Sequence, residues 1–201
     1  ASRACRAPGP ARCPKRDTAV TGPSSHNAWI SSVQCAVSQV SDETLAEAAK
    51  AILGTHMTIT AGNGGSSSLA SHMAQAIAKP GRGPEACRPA VCLTDRVPVL
   101  TAHANDGGWD NALVESARPF LNGDCCVVLF SSSGASENIV RLARLARDRW
   151  QPVVAFTGFA GEPLRSLATT SIHVNANDYE IVEPAHDAFV HRIQFHLARA
   201  M

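Results

Sequence analysis

Five short runs of apolar and β-branched residues punctuate the chain: MTITA (57–61), AVCLT (90–94), CVVLF (126–130), VVAFT (153–157) and SIHVN (171–175). Their length suits strands, and their near-continuous apolar character suits strands covered on both faces. Helical stretches fill the intervals. Two come first, over 24–40 and 42–54, with Ser41 and Asp42 offering a cap between them. One more follows each of the first four strands, and the last 20 residues read as a final helix. Strand, loop and helix in repetition predict an α/β fold, a doubly wound, mostly parallel five-stranded sheet with helices on both faces. An N-terminal helical hairpin precedes it.

Residues 1–23 stand apart, being rich in Pro, Gly, Ala and Arg with no hydrophobic period. They read as a flexible basic tail or linker, with residues 24–201 as the folded domain. Arg3, Arg6, Arg12, Lys15 and Arg16 fall in its first 16 residues without an acid. Removing those five from the 18 basic residues leaves 13 against 17 acidic ones. A mildly acidic domain is a poor match for nucleic acid, which is bound through clustered Lys and Arg. No apolar run approaches the ~20 residues of a membrane span. At 45% hydrophobic and 17% charged, the composition is that of a globular domain rather than a disordered chain. The chain opens on Ala rather than Met, which reads as excision from a longer polypeptide.

Seven cysteines without CxxC spacing exclude a zinc ribbon and a thioredoxin-type redox pair. Cys125 and Cys126 lie in an apolar run and read as buried strand thiols, which fits a reducing cytoplasm. Trp29 and Trp150 read as packing residues, and the arginines of RLARLARDR (141–149) as a solvated helix face.

In an open α/β sheet, ligands bind beyond the carboxyl ends of the strands. Two segments there carry chemistry. Gly62-Asn63-Gly64-Gly65-Ser66-Ser67-Ser68 follows MTITA, and Ser131-Ser132-Ser133-Gly134-Ala135-Ser136 follows CVVLF. Each opens a helix. Glycine lets backbone approach an anion, helix N-termini point free N–H groups at it, and serine hydroxyls complete the cage. Neither segment has Walker A or GxGxxG spacing. Either alone could be an ordinary Ser/Gly connection; two in equivalent places point to a phosphate.

AGNGGSSSLASHMA and LFSSSGASENIVRLAR resemble the two signatures of the sugar isomerase (SIS) domain family. TAHAND (101–106), AFTGFAGEPL (155–164) and IVEPAHDAFVHRI (181–193) are similar to its sedoheptulose-7-phosphate isomerase branch. The resemblance runs in order over about residues 25–200. It implies an aldose–ketose isomerase of a heptose- or octose-type phosphate, working through an enediol, in a cytoplasmic homotetramer with sites at subunit borders. Ser66, Ser131, Ser132, Ser133 and Ser136 would hold the phosphate, with Gly64 in the binding loop and Asn63 and Asp106 near the sugar hydroxyls.

The family's zinc ligands are a His and a Glu four residues on, then a Gln or Glu and a His eight residues apart on the last helix. His72, Glu183 and His191 match three of these positions, and His191 and Glu183 become the acid/base candidates. Glu183 and His191 fall on one helix face, and a His with a carboxylate is a zinc-type donor set on chemical grounds alone. The fourth position departs from the pattern: Ala76 stands where the family has its proton-moving Glu, and Gln75 points ~100° round the helix. Two further readings follow from that departure. One is a protein-binding tetramer like the DnaA initiator-associating proteins, which also lack the Glu; the other is a sugar-phosphate sensor without turnover. High Ala and Arg usage places an enzymatic chain in actinobacterial antibiotic biosynthesis, with lincosamide-type octose phosphates as one substrate class.

Overall fold

The structure is a computed structural model that describes residue 23, residues 25–79 and residues 87–200. Two helices open it, α1 (His26–Val37) and α2 (Asp42–Leu53), each with a serine side chain accepting from its first turn. There follow β1 (Met57–Gly62), α3 (Gly65–Ala78), β2 (Ala90–Cys92), α4 (Val97–Gly107), α5 (Trp109–Ala117), β3 (Cys125–Ser131) and α6 (Glu137–Asp148). The chain ends with β4 (Val153–Thr157), α7 (Leu164–Leu167), β5 (Thr170–His173) and α8 (Tyr179–Arg199).

All four strand pairings are parallel, and the order is β2-β1-β3-β4-β5. Alternation along the strands divides the core in two. Cys126, Val128 and Phe130 of β3, with Val154 and Phe156 of β4, face α1, α2, α3 and α8. Cys125, Val127 and Leu129, with Val153 and Ala155, face α4, α5, α6 and α7. The expected doubly wound sheet is therefore present. Its order reverses at β1, so the β1/β3 border is a topological switch point, where the diverging loops leave a crevice.

The expected strands shift at their ends. β2 stops at Cys92 because Leu93, fully buried, begins a 3-10 turn running to Asp95. The helix after β4 is a single four-residue turn. Trp29 packs as expected and donates its indole N–H to the Glu180 carbonyl at 2.9 Å. Trp150 does not: it is 94% exposed, on a backbone of φ 59° where the chain turns out of α6. The basic tail expected over 1–23 lies, but for Pro23, outside the described residues. Among the described residues, no helix is long and apolar enough to cross a membrane.

Candidate functional site

Register brings the two serine loops to one level. Gly62 at the end of β1 lies opposite Phe130, and the next residue of β3, Ser131, lies opposite Thr157. Gly62 can only be glycine, because any side chain there would strike the Ser66 carbonyl in the first turn of α3. Gly64 turns the chain into that helix at φ 55°. Ser66 is buried, while Ser67 returns its hydroxyl to the Gly64 carbonyl at 2.7 Å.

The second loop is tied down by backbone. Ser132 accepts from Gly158 N–H at 2.8 Å, and Gly134 donates to Ser131 and accepts from Leu164. Its hydroxyls are less committed. Ser131 and Ser136 lie 3.4 Å apart through their Oγ atoms, and Ser133 Oγ accepts from Ala135 N–H at 3.3 Å. Ser132 Oγ is buried with no partner, and Ser136 precedes α6 without capping it through its side chain. Serines placed so, before a helix N-terminus that the Ser136 side chain leaves uncapped, suit an oxyanion.

A carboxamide pair spans the two loops. Asn63 and Asn138 each donate to the other's side-chain oxygen at 2.9 Å. Asn63, expected near the sugar hydroxyls, is thus engaged with the first turn of α6. Asp106 is exposed near the end of α4, with Asn105 Nδ2 at 3.2 Å, on the sheet face opposite α3 and α8.

Where α3 meets α8, the imidazoles of His72 and His191 stand edge to face with centroids 4.7 Å apart. Asp187 joins them, its Oδ1 2.8 Å from His72 Nδ1. One donor atom from each of these three residues lies within 4.8 Å of the others. Two imidazoles and a carboxylate are the donor set of a catalytic zinc site with an open position, so these residues fit such an ion. Glu183 sits one turn earlier on α8, where its carboxyl group covers Gly65 so closely that a methyl at position 65 would collide with it. Ala76 is fully buried in the core.

His186 lies inside the protein between α8 and the sheet. It is fully buried against the stacked rings of Phe130 and Phe156 and donates from Nε2 to the Thr157 carbonyl at 3.2 Å. Burial pushes its pKa down to about 4, which makes it a neutral core residue. Sequence reasoning did not single out Asp187 or Asn138. For Asp187 a signal existed, since it lies four residues before His191 on the same helix face. For Asn138 none did, because its partner lies 75 residues away.

Such a sheet, with paired serine loops at its switch point, defines a class of parallel α/β proteins, and the chain belongs to the SIS domain family, whose model matches residues 28–158. Within that class it is similar to phosphoheptose isomerases. One from Mycobacterium bovis is 34% identical over 181 residues, covering 81% of this chain and 87% of that protein. The lincomycin biosynthesis protein LmbN of Streptomyces lincolnensis is 39% identical over 125 residues, 59% of this chain. That match takes in 45% of LmbN, so the chain spans less than half of that relative. Among solved structures, a phosphoheptose isomerase from Francisella tularensis superposes with a TM-score of 0.76 at 24% identity, over 86% of this chain and 96% of that one. The last likeness speaks for the fold. The expected family and fold are both met.

Proposed function

We propose that the chain interconverts the aldose and ketose forms of a heptose- or octose-type sugar phosphate. The observation that carries this reading is the pairing of two serine-lined helix N-termini at the switch point, tied by Asn63 and Asn138. The similarity to phosphoheptose isomerases gives it the reaction class. The adaptor alternative is not favoured, since relatives that match over 81% of the chain are phosphoheptose isomerases.

The phosphate would sit on the Ser131–Ser136 loop, taking hydrogen bonds from Ser132 and Ser136 and from the first N–H groups of α6. That anchorage directs the carbonyl end of the sugar toward α3 and α8. Isomerisation then needs a base that lifts the proton from the carbon beside the carbonyl and returns it to the neighbouring carbon. His191, exposed at the α3–α8 contact, takes that role, and its imidazole can both accept and return the proton. Were a zinc ion held by the His72–His191 pair, it would polarise the carbonyl and stabilise the enediolate, and Glu183 would then move the proton, since a ligated imidazole keeps no free lone pair. The reading further takes the chain as a homotetramer in a reducing cytoplasm, in keeping with the buried thiols of Cys125 and Cys126. Its similarity to LmbN favours a role in antibiotic biosynthesis.

An NMR time course on sedoheptulose 7-phosphate and on an octulose 8-phosphate tests the reading. The wild type should convert one of them, and His191→Ala should lose ~10²–10⁴-fold, the worth of a positioned base. Silence of the wild type on both substrates overturns it.

A further inference from the structure

We propose that Asp187, and not Glu183, is the carboxylate that joins His72 and His191 in holding a divalent cation of the zinc class; this rests on the cation proposed above. The register between α3 and α8 carries the inference. Glu183, Asp187 and His191 are spaced four residues apart and so form one stripe along α8. One turn of helix is ~5.4 Å, so the first and last of the three lie two turns apart. Contacts fix what each turn meets. Glu183 meets Gly65 at the start of α3, while Asp187 and His191 both meet His72, two turns further along α3.

A compact cation site draws its donors from one level, with Zn–N and Zn–O bonds near ~2.0–2.2 Å. Asp187 is at that level, 2.8 Å from His72, whereas Glu183 is a turn away against backbone. The arrangement takes two donors four residues apart on one helix and a third from the facing helix. Such a spacing puts both donors of the first helix on a single face. The Asp187 side chain is 48% exposed and that of His72 28%, so an ion and a substrate oxygen can both reach them.

The test measures zinc affinity of the full chain by competition with a chromophoric chelator, with cobalt(II) absorption as a second readout. Wild type should bind one equivalent. Asp187→Asn should lose at least about 100-fold, at or beyond the top of the ~10–100-fold cost of losing a partner that only orients a ligand. Its cobalt bands should shift as well. Glu183→Gln should stay within about threefold of wild type, far inside that same range. Circular dichroism confirms that both variants are folded. The proposal is overturned if wild type binds no zinc, if Glu183→Gln is the variant that loses it, or if Asp187→Asn leaves the cobalt bands unchanged. Isomerisation is followed separately. Turnover without zinc sinks this inference alone, and zinc held through Asp187 without turnover sinks only the isomerase reading.

Discussion

Asn63 and Asn138 hold each other by two hydrogen bonds of 2.9 Å, one in each direction, and so fix the end of β1 to the start of α6. Asn138 also accepts from its neighbour's N–H, that of Ile139, at 3.0 Å. Asn138 is only 2% exposed, so its amide has no ready access to water as a substitute, whereas Asn63 is partly exposed. Asn63→Ala should therefore cost ~1–3 kcal/mol, the penalty for leaving the buried Asn138 amide without its partner. The serine loops would also lose their mutual register, so KM for the sugar phosphate should rise more than kcat falls. Urea unfolding and initial rates check both. A variant as stable as wild type with unchanged KM would show the pair to be incidental.

Ser132 offers a test that separates folding from binding. Its hydroxyl is buried and makes no hydrogen bond within the protein. Ser132→Ala removes an unsatisfied group, so stability should hold or rise by up to ~1 kcal/mol. If the hydroxyl serves the phosphate, KM should climb about tenfold or more, since a hydrogen bond to a charged group is worth ~1.5–3 kcal/mol. Thermal melts and saturation curves decide it. A loss of stability with unchanged KM would remove Ser132 from the phosphate site.

The adjacent thiols of β3 predict an alkaline weakness. Burial pushes Cys125 up to about 11 and Cys126 up to about 12. In the unfolded chain a thiol ionises near ~8.5. Above that pH the unfolded state has released protons that the folded state keeps, so stability falls as pH rises, by ~1.4 kcal/mol per pH unit for each such thiol. Urea midpoints between about pH 8 and 10 should therefore drop more steeply for wild type than for Cys126→Ala. Parallel slopes would refute the assignment. Iodoacetamide at mildly alkaline pH should label exposed Cys35 and Cys87 and spare Cys125 and Cys126.

Much of this architecture is legible in the sequence because burial on both faces leaves a mark. The runs that became β3 and β4 are apolar at nearly every position, as strands between two helical layers must be, and β1 adds the buried β-branched Thr58 and Thr60. The serine loops were legible for a related reason: glycine and serine directly after such strands have few structural uses at that density. β2 was read too long because Leu93 is as apolar as a strand residue, yet buries itself in a turn. Trp150 was misplaced because an indole usually packs, and nothing local shows that the chain reverses there at positive φ. Spacing put Glu183 and His191 on one face, which the structure keeps. Which acid on that stripe meets His72 is a matter of register between two helices far apart in sequence, and no local pattern encodes it. Asp187 emerges only once α3 and α8 are packed.

The carboxyl group of Glu183 resting on Gly65 sets a polarity for the whole cleft. Of the two helices that begin there, α3 has the Glu183 carboxyl group beside its positive end, whereas the first-turn acid of α6, Glu137, is paired with Arg141 at 2.6 Å and the Ser136 side chain does not cap that helix. On the proposed reading, a doubly charged ester entering the cleft would be turned away from the first and drawn to the second. Direction of entry would thereby be decided before any hydroxyl is recognised, with the reactive end of an extended sugar facing the histidines.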